Sequence, residues 1–364
     1  MEKTNTQQRS RERIIGFWLL LIGGMVLVMV ILGGLTRLTD SGLSMVEWRP
    51  ITGWLPPLTH AAWEEAFAAY RAFPEYQKIN AGMTLAQFQE IYWLEYVHRL
   101  WGRLIGVAFA LPLAFFLARR WVSGVLGWKL AGIFALGGLQ GALGWYMVKS
   151  GLVDRPDVSQ YRLVAHLGMA LAIYSAILWV AMRLLSGEPH RPLPPPAAGL
   201  RARSIVALVL LTILAGGFVA GLDAGYAYNT FPLMDGELIP GAIFASSPWW
   251  RSFFEDITTV QFDHRLLATA TVLAIFAFRW SLRAVPLPSQ ARRAANMLAL
   301  WVPVQFLLGV ATLLSYVALP LAALHQAGAL VLFTLALRCA FVLTPAVPRE
   351  VTHSAPGSGQ RAAA

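Results

Sequence analysis

Apolar residues in this chain collect into eight long stretches separated by short polar segments. The stretches lie near residues 14–36, 96–118, 128–148, 163–183, 203–222, 262–282, 295–316 and 319–343. About 20 apolar residues in a helix cross a hydrocarbon layer roughly 30 Å thick. The pattern therefore predicts an all-α integral membrane protein with eight transmembrane helices. Between the first two stretches lies much the longest polar segment, residues 37–94. Within it Trp63, Phe67 and Tyr70 follow i, i+4, i+7 spacing, which predicts an amphipathic helix lying on the membrane interface. Thr84 and Gln87 form a capping box that starts a helix running into the second span. Trp48, Trp54, Trp63 and Trp93 suit the level of the lipid headgroups.

The segments also repeat. GGLTRLTDSG (33–42) aligns with GGFVAGLDAG (216–225), EYVHRL (95–100) with QFDHRL (261–266), and AHLGMAL (165–171) with LHQAGAL (324–330). Gln140 and Gly144 match Gln305 and Gly309. Each half contains four spans, so the halves share one orientation. That predicts two tandem, pseudo-symmetric four-helix bundles related by an axis along the membrane normal. The expected organisation is a cytoplasmic tail (1–13), a first half (14–185) carrying the long periplasmic loop 37–94, and a Pro-rich cytoplasmic linker (186–202). A second half (203–343) and a cytoplasmic tail (344–364) follow.

Composition agrees with this reading, at 57% hydrophobic and only 13% charged residues. The net charge of +10 does not indicate nucleic acid, because the charges are sorted by side. Of the 29 Lys and Arg, 18 fall on the side of the termini, whereas 15 of the 19 Asp and Glu fall on the other. The positive-inside rule then places both termini in the cytoplasm. Residues 1–13 are too short for a typical transit peptide, and the next span is too long for a cleaved signal, so a bacterial inner membrane is the expected location. The one cysteine, Cys339, lies within the last span, which excludes an intramolecular disulfide.

Candidate chemistry centres on four histidines. His98, His166, His264 and His325 each lie near the start of an even-numbered span, in the outer half of the membrane. One such histidine is readily explained as interfacial or as a helix–helix hydrogen-bonding group. Four at repeat-equivalent positions point instead to two pairs holding haem iron between facing helices. No Cys or carboxylate cluster completes a zinc or copper site. His60, His190 and His353 fall in loops or the tail. Glu95 lies one turn before His98, and its counterpart is Gln261. An ion pair with Arg99 would account for Glu95 alone. The divergence inside an otherwise retained motif suggests chemistry at the first site and cofactor binding at the second. Arg99, Arg103 and Arg265 could pair with haem propionates or simply snorkel to the interface. Gly137, Gly141 and Gly144 on the third span read as close helix packing. Competing functions are a di-haem b-type electron-transfer cytochrome and a transporter with parallel repeats. The latter lacks a broken helix with mid-membrane charges.

The combination of GGLTRLTDSGLSMVEWRPITGWLPPL, EYVHR, HLGMA, AGLDAGYAYNTFPLMDG, FDHRLLA and LHQAGA resembles the haem A synthase family over about residues 14–343. It is most similar to the cysteine-free mitochondrial and alphaproteobacterial branch, since no cysteine pair stands near Ser41–Met45. The resemblance implies oxidation of the C8 methyl of haem O to a formyl by two successive hydroxylations, giving haem A for cytochrome c oxidase. It implies haem b on His264 and His325, substrate haem on His98 and His166, and Glu95 as catalytic carboxylate. Implied partners are the membrane lipid, an electron donor and, by direct substrate transfer, haem O synthase. Self-association is plausible, although no span carries a decisive oligomer motif.

Overall fold

The structure is a computed structural model that describes residues 2–47, 52–151, 158–186 and 195–344. Eight long helices dominate it: α1 (Glu2–Leu38), α4 (Leu85–Ala118), α5 (Gly124–Gly151), α6 (Gln160–Leu185), α7 (Pro196–Gly221), α9 (Ile257–Ser281), α10 (Ser289–Leu314) and α11 (Leu319–Leu343). Between them lie the short helices α2 (His60–Arg71), α3 (Pro74–Lys78) and α8 (Ser252–Glu255). Seven of the long helices are apolar enough over membrane length to be recognised as spans by composition alone. The eighth, α9, has 25 residues but carries Asp263, His264 and Arg265 near its start and Arg279 near its end. These polar residues dilute its apolarity, and it packs between α7 and α10 as a full member of its bundle.

The first helix begins at Glu2, so the polar segment expected as a separate tail continues the first span. Much of the expected linker and nearly all of the C-terminal tail lie outside the described residues, as do Trp48, His190 and His353.

Packing reproduces the repeat helix by helix. In the first unit α1 packs on α4 and α6, and α5 on α4 and α6. In the second, α7 packs on α9 and α11, and α10 on α9 and α11. The units meet through α6 against α7 and α1 against α11, which exchange under a two-fold relation. Gln326 Nε2 donates to the Val30 carbonyl across this seam at 2.8 Å, and Gly34 leaves the space that the Gln326 amide fills. The Tyr174 and Thr334 hydroxyls bond at 2.7 Å. At the loop end, Arg37 pairs with both oxygens of Asp223 at 2.8 Å and with Asp40 at 2.7 Å. These two aspartates are repeat counterparts, and both adopt left-handed backbone, with φ of 53° and 48°.

The capping box holds as expected. Thr84 N donates to Gln87 Oε1 at 2.9 Å and Gln87 N to Thr84 Oγ1 at 3.3 Å. From there α4 runs 34 residues, with its first turns standing beyond the apolar stretch. The amphipathic helix forms, but the expectation that its apolar face lies on lipid is corrected. Phe67 and Tyr70 are buried against Phe88, with ring centroids 5.1 and 5.2 Å apart, and Trp63 meets Tyr92 at 5.0 Å. The projecting start of α4 offers apolar surface of its own, and burying aromatic rings there outweighs laying them in headgroups.

Candidate haem sites

In each unit the second and fourth helices begin at the loop end and carry a histidine in their opening turns. The first and third helices finish at the same end and carry a glycine in their closing turns. Gly33 of α1 faces His98 of α4, and Gly144 of α5 faces His166 of α6. Gly216 of α7 faces His264 of α9, and Gly309 of α10 faces His325 of α11. A Cβ at any of these glycines would come within 2.8–3.0 Å of the imidazole Cε1, tighter than nine in ten real Cβ contacts. Each imidazole thus lies close against a neighbouring helix that yields space because it has no side chain there. The expectation for the third span is corrected accordingly. Gly144 is a histidine seat, while Gly137 and Gly141 face open space and pack against nothing.

The His264 and His325 rings stand 6.5 Å apart between centroids, with planes at 86°. Two metal–nitrogen bonds of about 2 Å, plus about 1.1 Å from each nitrogen to its ring centre, require roughly 6.2 Å. The pair is therefore spaced for one metal ion between two imidazoles. His98 and His166 are near enough for a charge on one to act on the other. Their Nδ1 atoms are buried without a hydrogen-bond partner among the described residues. Also among those residues, no group of three or more His, Cys, Asp or Glu could hold a bare metal ion. Two imidazoles alone leave a metal's coordination incomplete, so the remaining ligands must arrive with the metal. Haem iron in its porphyrin plane meets that requirement, and the residues present fit it.

Beside each pair sits an arginine-centred clamp. Glu95 is almost fully buried; its Oε2 accepts from Ser44 Oγ and from Met45 N, both at 2.7 Å, and its Oε1 accepts from Arg99. Arg99 also donates to the carbonyls of Met45 at 2.8 Å and Glu47 at 3.0 Å. In the second unit Gln261 Oε1 accepts from Arg265 at 2.9 Å, and Gln261 Nε2 donates to the Ala224 carbonyl at 2.6 Å. Arg265 reaches the carbonyls of Tyr228 at 2.7 Å and Thr230 at 2.8 Å. Arg99 and Arg265 hold the returning loops by their carbonyls, in addition to whatever acid groups a bound ligand would present. Arg103, one turn beyond Arg99, is the remaining cation of this group. The Glu95–Arg99 i, i+4 pair is buried.

Three features of this arrangement were missed in the sequence. The glycine seats were visible as the aligned GG of residues 33–34 and 216–217, whose partners only the fold identifies. Ser44, which bonds Glu95, aligns with Ala227 at the offset that matches Asp40 to Asp223. The hydroxyl is thus present only where the carboxylate is. Gln140 and Gln305 matched in the sequence without a role; both donate to the backbone carbonyl of the histidine on the next helix, His166 at 3.0 Å and His325 at 2.9 Å.

The seats give a direct prediction. Gly309→Ala places a Cβ against the imidazole of His325 and is expected to weaken haem retention in the second unit on the order of 10–100-fold, the range for disturbing a ligand's support. Gly137→Ala, into open space on a helix, is expected to leave it unchanged. Haem titration of the two purified variants measures the difference.

Fold and site together define a multi-pass membrane protein with two imidazole pairs at one end of two related four-helix units. Residues 16–337 match the family model described as cytochrome oxidase assembly protein, COX15-CtaA. The chain is 53% identical to a "Heme A synthase" of Nitrosospira multiformis, over 92% of this chain and 95% of the relative. It is 49% identical to a "Heme A synthase" of Rhodospirillum centenum, over 95% and 93%. It is also 47% identical to "Heme A synthase COX15" of Homo sapiens, over 90% and 82%. The chain belongs to this family.

Proposed function

We propose that the chain is a haem A synthase. In this reading the first unit takes haem O between His98 and His166 and oxidises its C8 methyl in two steps. With dioxygen as the oxidant, each step inserts one oxygen atom and reduces the other to water with two electrons and two protons; the first gives a hydroxymethyl group, and the second a hydrate that loses water to leave the formyl. The second unit holds haem b through His264 and His325. That haem would supply a relay for electrons, chemistry that no side chain here provides. The chain's own residues bind, orient and exclude water. The glycine seats fix the imidazoles, Arg99 and Arg265 fasten the loops over the two sites, and Glu95 holds or moves a proton beside His98.

The observation that carries this reading is the chemical inequality of two repeat-related sites. A buried carboxylate with a serine hydroxyl serves one, and an amide with an alanine serves the other. A di-haem electron-transfer cytochrome would have no use for that difference. The names of the relatives support the same activity. The sorting of basic residues supports cytoplasmic termini in a bacterial inner membrane. The apolar tail of haem O favours arrival through the membrane, by transfer from haem O synthase. An electron donor of separate identity completes the reaction.

Pigment analysis of the purified protein tests the proposal. Haem b together with haem O, haem A or the hydroxylated intermediate is the expected result. Haem b alone would favour the cytochrome and overturn the synthase.

A further inference from the structure

The two imidazole pairs differ in one more respect, and it bears on which haem stays and which leaves. Gln305 of α10 and Gln140 of α5 are repeat counterparts, and each Nε2 bonds the backbone carbonyl of the histidine opposite. Only Gln305 also reaches the ring, with its Nε2 3.0 Å from His325 Nδ1. Gln140 makes no such bond, and the Nδ1 of His166 is left buried and unpartnered. Gly328, one turn after His325, leaves the space in which the Gln305 amide sits, and a Cβ there would lie 2.2 Å from Gln305 Oε1. The counterpart of Gly328 in the first unit is Met169.

We infer that Gln305, given room by Gly328, is a positioning residue that locks His325 as a permanent axial ligand, and that the absence of this lock at His166 leaves the first site free to exchange its haem. A histidine that binds iron through Nε2 carries its proton on Nδ1 and needs an acceptor there. The amide of Gln305 is already beside that atom. Its Oε1 is buried and has no donor of its own, and an end-for-end turn of the amide, which gives up the Nε2 bond to the His325 carbonyl, presents an acceptor to Nδ1–H. Such a bond fixes the ring's rotation and raises the basicity of its iron-binding nitrogen. The inference rests on the reading that His264 and His325 hold the resident haem.

The test uses the full-length purified protein, haem b as the titrant, and two readouts besides turnover: the midpoint potential and the low-spin electron paramagnetic resonance signal. Gln305→Leu is expected to weaken haem b retention 10–100-fold and to raise the midpoint of what remains. Gln305→Glu, a stronger acceptor of the Nδ1 proton, is expected to retain the haem and lower the midpoint. Gly328→Ala keeps Gln305 but takes its room, and is expected to reproduce the leucine effect in a helix whose propensity improves; it carries the test if the leucine variant does not fold. Wild-type retention and midpoint in Gln305→Leu or Gly328→Ala would overturn the lock. Equal loss of haem in the leucine and glutamate variants would also overturn it, because packing rather than the acceptor would then matter. A wild-type protein without a bis-imidazole haem would instead remove the functional reading beneath it.

Discussion

Replacing either His264 or His325 by alanine is expected to abolish the low-spin haem b signal while leaving the helical fold intact. Each substitution removes one of two imidazoles whose 6.5 Å separation suits a single shared metal. The seats facing the two rings are the glycines Gly216 and Gly309, which carry no donor atoms, and no further metal-binding cluster exists among the described residues. Disturbing a ligand's support alone costs about 10–100-fold in affinity, so loss of the ligand itself is expected to exceed that. The fold is expected to survive because the buried core lies elsewhere, in residues such as Ile15, Leu19, Leu171, Ile177, Leu298 and Phe333. Reduced-minus-oxidised spectra of the two variants, alongside circular dichroism, make the measurement. A low-spin signal persisting in both variants would refute the ligand assignment.

The same pair illustrates how much was legible beforehand and why. Spans and repeat are written in long-range patterns that survive without knowledge of packing, because a bilayer imposes length and apolarity on every helix it contains. The histidines stood out because each contradicts its apolar surroundings. What faces them did not. A glycine in a membrane helix fits close packing, lipid exposure or a ligand seat equally well, and Gly137 and Gly144 share one helix while doing different things. Only the pairing of α5 with α6 tells them apart. The amphipathic stretch at Trp63 was misplaced for a related reason. Its period identifies an apolar face but cannot say whether lipid or the projecting start of α4 covers it.

Glu95→Gln is expected to halt oxidation at the first unit, with haem O or the once-hydroxylated haem accumulating in place of haem A. Removing a group that moves a proton during reaction typically costs about 10²–10⁴-fold in rate. The substitution copies the second unit, but the structure shows that it is not structurally silent. The carboxylate accepts from Ser44, Met45 N and Arg99, all donors, whereas Gln261 succeeds in its own place because Ala224 offers a carbonyl to its amide. An amide at position 95 therefore turns its nitrogen toward either the Met45 N–H or the Arg99 guanidinium. The lost charged hydrogen bond is worth roughly 1.5–3 kcal/mol, and the loop at residues 41–47 is expected to become more open to protease. Ser44→Ala separates the two roles, since it removes one bond from the clamp and leaves the carboxylate. If Glu95 only fastens the loop, both variants lose haem from the first unit without a characteristic intermediate. If it acts on the reacting methyl group, Ser44→Ala still makes haem A, while Glu95→Gln binds haem O and stops. Haem extracted from cells expressing each variant distinguishes these outcomes, and a wild-type yield of haem A from Glu95→Gln would remove the carboxylate from both roles.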